Sequence, residues 1–419
     1  MVESSLKGIA SLLCLSIAAA SSCGTFRGAS DSADVTSEMS SSPAIEVSAS
    51  ESVTKGSASM KSENIKGSRV QFALNLFDAC SSLQKDKASN LVVSPFSAGT
   101  ALSMLMEGST GQTRQEIENA LCGSTFAGAN LLGDEFVTVE SANSIWIQNT
   151  FSVKKSFEDI LRGTYSAEIN PRNFRDPKTV SEINAWCSEH TAGKIPSIVD
   201  KIGPDMVLFI LNALYFNAPW MNKFDKNATT KMTFHSAGSN NQIDFMRAEK
   251  EYAYAEFQGN QIIRIPYEGG IYSMIVALPS EDSSVEQLMS IVTADAVEHL
   301  GSYLSRRKVS LSLPKFRIEQ TLVLNDVLKA MGITRAFSNA AELDAMGSAP
   351  VAVDEVKQKT YIDVSEQGTE AAAVTSIGVR LTSVRPDADR PVRMTVDRPF
   401  VFFIQNQQTS DILFAGAIS

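Results

Sequence analysis

The sequence predicts a large α+β domain, and three observations carry that reading. Helical periodicity dominates the first half of the folded stretch. Strand-like runs dominate the second half. No strand–helix–strand repeat of the kind that builds a doubly wound parallel sheet links them.

The chain opens on a segment outside that domain. Lys7 precedes an apolar run at 9–20, too short to span a bilayer, and "AASSC" follows, ending at Cys23. This pattern predicts a signal peptide over 1–22. It resembles a bacterial lipoprotein box, which implies lipidation of Cys23 and a membrane-tethered protein on the bacterial envelope. Plain secretion is the alternative if Cys23 is not lipidated. Residues 23–63 are rich in Ser, Ala, Thr and Glu and poor in large apolar side chains. They cannot bury enough surface to offset ordering and are expected to form a disordered tether, ~40 residues with a reach of roughly 35 Å.

A single domain is expected over 64–419. Phe72, Leu76, Phe77, Cys80 and Leu83 fall on one face of a helix. "NLVVSPFS" reads as a short buried strand followed by a helix, with Ser94 as cap and Pro95 in the first turn. Thr113 and Glu116 have the spacing of a capping box. "SANSIWIQ" reads as a strand; 157–161 and 183–192 read as helices. The run at 206–216 is almost continuously apolar, as in a strand buried on both faces. Further strands are expected at 262–266, 272–278, 309–314, 399–404 and 412–417.

Composition excludes several functions. Hydrophobic residues make up 43% and the net charge is −10, so nothing favours nucleic acid; Arg306-Arg307-Lys308 reads as a solvated face. There are three histidines, and Cys187 with His190 one helical turn apart lacks a second ligand pair, so no metal site is expected. If Cys14 leaves with the signal and Cys23 is lipidated, three scattered cysteines remain, which is no disulfide framework. No GxSxG, HExxH or Gly-rich phosphate loop occurs, and "SVKK" at 152–155 stands without partner motifs.

The informative stretch is "EQGTEAAAVTSIGVRLTSVR", 366–385. Alternate residues from Thr369 (Ala371, Ala373, Thr375, Ile377, Val379, Leu381) are small or apolar. The set between them (Glu370, Ala372, Val374, Ser376, Gly378, Arg380, Thr382) holds both charges. In a strand the two sets occupy opposite faces. Yet Ala runs and Gly are poor residues for a permanent strand.

"EQGTEAAAVTS" resembles the reactive-loop hinge of the serpin family. "NLVVSPFSAGTALSMLMEGSTGQTRQEI", "INAWCSEHTAGKI", "FILNALYFNAPWMNKFD" with Trp220, "DRPFVFFI" and "ILFAGAI" resemble other blocks of that family in the right order. The resemblance spans about 65–419. It implies a large central, mostly antiparallel sheet, two smaller sheets, eight or nine helices and an exposed reactive loop at about 366–392.

It also implies a suicide-substrate inhibitor of serine or cysteine proteases rather than an enzyme. The protease cuts the loop, forms an acyl-enzyme, and is trapped covalently when the cut loop inserts into the sheet. The hinge would be Glu366, Gly368, Thr369, Glu370, Ala371, Ala372, Ala373, Val374 and Thr375. The family's count from Glu366 puts the scissile bond at Thr382-Ser383, with Arg380, Leu381 and Val384 as alternative positions. Arg385 and Arg390 are each followed by proline, a poor leaving side for trypsin-like cleavage. Ser94, Ser97, Asn212, Gln358 and Trp220 would form the sheet-opening cluster, with Gln358 where the family usually has histidine. The stretch between Leu121 and Ser141 is short for the helix that binds sulfated polysaccharide in some relatives, so no cofactor is expected. The resemblance further implies a monomer. The alternative function is a non-inhibitory binding or structural member of the family; the small, clean hinge favours inhibition.

Overall fold

The computed structural model describes residues 68–129, 131, 133, 135–203, 205–236, 238–369 and 390–419. It begins at a cap: the Ser68 hydroxyl accepts a hydrogen bond from the Gln71 N–H and starts α1 (Arg69–Leu83). That helix buries Phe72, Leu76, Phe77 and Cys80 as expected, but Leu83 is 49% exposed. Strand β1 (Leu91–Val93) leads into α2 (Pro95–Glu107), capped by Ser94 with Pro95 in the first turn and buried along almost its whole surface. Next comes α3 (Gly111–Ala120).

The capping box expected from Thr113 and Glu116 does not form. The helix starts three residues earlier, with Thr110 as a cap that makes no side-chain bond. Thr113 instead exchanges hydrogen bonds with Glu342, and the Glu116 carboxylate accepts the N–H groups of Thr334 and Arg335. Local capping chemistry is used here to bind a segment more than 200 positions away.

The chain continues through β2 (Thr138–Gln148), α4 (Lys155–Tyr165), β3 (Glu168–Arg172), α5 (Lys178–Glu189) and β4 (Leu208–Pro219). Helix α5 stops short of the predicted 192 because Ala192 takes a positive φ of 49°. Then follow β5 (Thr230–Ser236), β6 (Ser239–Phe257), β7 (Asn260–Pro266), β8 (Tyr272–Leu278), α6 (Val285–Ser290), α7 (Ala294–Glu298) and α8 (Leu300–Tyr303). The last elements are β9 (Ser305–Pro314), β10 (Phe316–Val323), α9 (Asn325–Ala330), β11 (Glu355–Ser365), β12 (Gly368–Thr369), β13 (Val392–Thr395), β14 (Phe400–Asn406) and β15 (Ile412–Ile418).

Two sheets result. The central one has the order β10-β11-β12-β4-β2-β3. Its neighbours are antiparallel except β2 with β3 and the direct pairing of β11 with β4. The expected smaller sheets are joined through the 19-residue β6, which pairs in turn with β5, β9 and β7, into one nine-stranded network.

Strand β4 shows how the layers divide. Leu208 and Ile210 enter the core packed on α1 and α2, and Leu214, Phe216 and Ala218 enter the core between the two sheets. The alternate residues Phe209, Leu211 and Ala213 face the other way, onto Ile183, Trp186 and Cys187 of α5. Both faces are covered, which is why the sequence runs apolar without a break.

Candidate functional site: a fork in the central sheet

Strands β11 and β4 are parallel and paired directly from Glu355↔Phe209 to Lys359↔Ala213. Above Lys359 and Ala213 that pairing stops. At the upper end a third strand stands between them: Thr369 is paired with Val364 on one side and Ala218 on the other, and Gly368 with Ser365 and Pro219, all antiparallel. The seam is closed below and wedged open above by Gly368 and Thr369.

Each residue of the wedge is held by specific contacts. The Glu366 carboxylate, 5% exposed, accepts the Thr229 hydroxyl at 2.8 Å and meets Lys315 Nζ at 3.1 Å. Burial alone would raise its pKa. Its own backbone N–H, Thr229 and Lys315 outweigh that and hold it below the ordinary carboxylate value. The carbonyls of Glu366 and Gln367 accept the N–H groups of Phe224 and Trp220, and the Trp220 indole donates to the Ser365 carbonyl at 2.8 Å. Gly368 has φ +151°, and a Cβ there would run into the Ala218 carbonyl, so no other residue fits. Thr369 is 1% exposed and shares a 2.6 Å hydrogen bond with the Tyr267 hydroxyl. Tyr267 in turn stacks on Trp220, with centroids 4.5 Å apart.

Lower down, the start of α2 is fastened to both sides of the seam. The Gln358 amide of β11 grips Ser94 twice, accepting from its N–H at 2.8 Å and donating to its carbonyl at 2.9 Å. The Ser94 hydroxyl donates to the Leu413 carbonyl. The Ser97 hydroxyl donates to Asn212 of β4, which donates to Asn143 of β2. All five side chains are buried. Four of the residues expected to act together, Ser94, Ser97, Asn212 and Gln358, are therefore brought together. Trp220 is not among them: it lies just past the end of β4, eight positions beyond Asn212, at the mouth and about 26 Å away along the strand direction.

Sequence reasoning missed Thr229, Tyr267, Lys315 and Lys359. Lys359, 8% exposed, donates from β11 to the carbonyl of Ser197 at 2.7 Å and pairs with Glu319 at 2.8 Å. It thereby ties the segment after α5 to one side of the seam. Its strand, EVKQKTYIDVS, mixes polar and apolar residues and carries no local sign that Lys359 is buried. Predicted positions Glu370, Ala371, Ala372, Ala373, Val374, Thr375, Arg380, Leu381, Thr382, Ser383, Val384 and Cys23 lie outside the described residues.

Catalytic groups do not assemble among the described residues. His190 contacts Trp186 and Glu168, His235 contacts Asn240, and His299 contacts Asp295; none meets a hydroxyl or thiol nucleophile. Burial pushes the thiols of Cys80 and Cys187 up to about 12, as for inert core cysteines. No group of three potential metal ligands occurs among the described residues.

A central sheet that is closed below and split at its upper end by Gly368 and Thr369, with a helix pinned across the seam, defines the α+β class of this protein. The comparisons agree. The family model described as "Serpin (serine protease inhibitor)" matches residues 68–419, and the chain belongs to the serpin family. It is 32% identical to Iripin-2 of Ixodes ricinus over 370 residues, covering 83% of this chain and 91% of that protein. It is 32% identical to intracellular coagulation inhibitor 2 of Tachypleus tridentatus over 388 residues, covering 87% and 93%. Its fold is similar to that of tengpin, a thermophilic serpin in the native state, with TM-score 0.76 and 30% identity over 84% of this chain and 92% of that one.

The pin at Gln358 yields a first prediction. Gln358→Leu leaves the buried Ser94 N–H without its partner and is expected to lower stability by about 1–3 kcal/mol in urea melts. An amide does not titrate, so the loss should be equal at pH 5.5 and 7.5. A loss that changes between those values would mean the pin works through an ionisable group instead.

Proposed function

We propose that this serpin is a suicide-substrate inhibitor of serine or cysteine proteases, and that the forked seam receives its cleaved loop. The observation that carries this reading is the register of the wedge. Thr369 is paired with Ala218 and Val364. Continuing both ladders would bring Ala371 beside Phe216 and Ala373 beside Leu214. Thr375 would fall between Asn212 and Gln358, the pair that faces each other across the closed seam. Val379 would reach Leu208, where β4 begins, and Gly378 would reach Glu355, where β11 begins.

The flanking strands thus offer places as far as Gly378 and Val379. A cut at Thr382-Ser383, or elsewhere in 380–384, falls just beyond, so the whole alternating segment could enter and carry an acyl-linked protease to the far end of the sheet. The small set of residues would face the core beneath, as Thr369 already does. About a dozen new strand hydrogen bonds at ~0.5–1.5 kcal/mol net each would supply on the order of 10 kcal/mol.

The test is incubation with a panel of serine and cysteine proteases, followed by denaturing gels and mass spectrometry of the released C-terminal peptide. At least one protease should give an SDS-stable adduct, and cleavage in 380–384 should raise the melting temperature sharply. Cleaved monomer alone with every protease, at unchanged melting temperature, would sink the proposal. For placement, the Lys7–Cys23 pattern supports export and lipidation of Cys23. Partition of the full chain into detergent, lost in Cys23→Ser, tests that point.

A further inference from the structure

Strand β7 carries a side chain that its surroundings do not satisfy. Arg264 is half-buried, and its Nε is sealed from solvent with no hydrogen-bond partner. No carboxylate, carbonyl or aromatic ring engages the guanidinium among the described residues. Burial is the sole influence on its charge and pulls its pKa below the ordinary arginine value. A partly desolvated cation with a sealed, unpartnered Nε and no counter-charge is costly, and native structures leave few such groups unexplained.

The surroundings form a cradle. Gly301 of α8 lies against the guanidinium: a Cβ added there would sit 3.7 Å from Nη1 and 3.9 Å from Nη2, so the helix approaches closely while offering no side chain to cover the group. Across the sheet, Arg264 is the register partner of Ala253, and Ala253 that of Arg306. Directly opposed residues share a face, so this row reads Arg–Ala–Arg, with the outer Cα atoms about 10 Å apart and a single methyl group between. Arg306 is mostly solvent-exposed and uses its Nε on Glu251 at 2.6 Å. Its terminal N–H groups make no hydrogen bond or ion pair among the described residues and can turn toward the gap. Glu251 tempers the local charge to a net of about one positive unit.

We propose that Arg264, with Gly301 beside it and Arg306 across Ala253, forms a binding site for a small oxyanion. The guanidinium fork matches two coplanar oxygens, as presented by a carboxylate or by one face of phosphate or sulfate. The site belongs to the nine-stranded sheet, and its readout is anion-dependent stability, so it stands or falls separately from protease inhibition.

The experiment is thermal melting of the full chain in chloride, acetate, phosphate and sulfate at constant ionic strength, each titrated, with Arg264→Gln and Arg306→Gln alongside. In the unmodified protein at least one oxyanion should give a saturable rise in melting temperature above the chloride baseline. A larger response to acetate identifies a carboxylate site, and a larger response to phosphate or sulfate a tetrahedral one. Arg264→Gln should lose the saturable part and keep only the gradual salt effect. Arg306→Gln, an exposed change with little folding risk, should weaken the half-saturation concentration several-fold. Arg264→Met should melt higher than the unmodified protein in chloride alone, because it removes an unpartnered cation. A saturable rise of the same size in Arg264→Gln, or none in the unmodified protein with any oxyanion, would overturn the proposal.

Discussion

Thr369→Arg is expected to turn the proposed trap into a substrate. Position 369 is the last described residue of the wedge, 1% exposed, held between Val364 and Ala218 with its hydroxyl on Tyr267. An arginine there has no carboxylate to meet in the core between the sheets, and an unpaired buried cation costs several kcal/mol. Under the proposed mechanism, insertion of the cleaved loop would compete with hydrolysis of the acyl-enzyme. Raising the insertion barrier by ~3 kcal/mol slows that step by roughly 150-fold, enough to hand most acyl-enzymes to water. Denaturing gels should then show cleaved monomer accumulating with active protease and the adduct reduced to a few per cent of the unmodified yield. Thr369→Val is the control: it removes one hydroxyl, orphans the Tyr267 phenol, costs about 1–3 kcal/mol of stability and should still give adduct. Adduct formation by Thr369→Arg at the unmodified yield would show that the fork is not the entrance.

The elements that were legible in the sequence are those whose determinants are local. Ser94-Pro95 announces a capped helix and delivers one; the apolar runs at 272–278 and 412–417 coincide almost to the residue with β8 and β15. Strand β6 was not read, although it is the longest. Its outward side chains include Arg247, Glu249 and Glu251, which look like a solvated loop until β9 supplies Lys308 for Glu249 and Arg306 for Glu251. The compensation is cross-strand and far away in sequence, so no local window contains it. The same reason hid Glu116, whose partners are the N–H groups of Thr334 and Arg335.

At the candidate site, the alternation beginning at Thr369 assigned faces that the buried Thr369 hydroxyl matches at its first position. The sequence offered Gln358 as a departure from the family pattern. It could not reveal that the amide takes both main-chain groups of Ser94, a substitute pin rather than a missing one. Nor could it separate Trp220 from the lower cluster, because the two ends of β4 serve different parts of one seam.

Glu366→Lys is expected to open the mouth. The native carboxylate is 5% exposed, and its two oxygens are used by Thr229 and Lys315. Reversing the charge sets two ammonium groups against each other in a space built for a pair; Lys315 is 35% exposed, so solvent screens part of the repulsion and the loss is about 1–3 kcal/mol. With the turn displaced, Gly368 and Thr369 lose their anchor, and the upper edges of β11 and β4 face solvent as unpaired strands. Such edges recruit any strand at hand, including one from another copy of the chain. The expected result is a lower melting temperature together with high-mass species on size exclusion that grow with concentration and time. Glu366→Gln separates charge from shape. Because the folded pKa of Glu366 lies below its ordinary value of 4.5, the carboxylate stabilises the native state above about pH 4.5, and that contribution fades as pH falls through the folded value. The stability gap between the unmodified protein and Glu366→Gln should therefore be constant above about pH 5.5 and close toward pH 3. A gap that persists unchanged at pH 3 would mean that the side chain anchors the wedge by packing and hydrogen bonding alone, with the Lys315 ion pair contributing nothing.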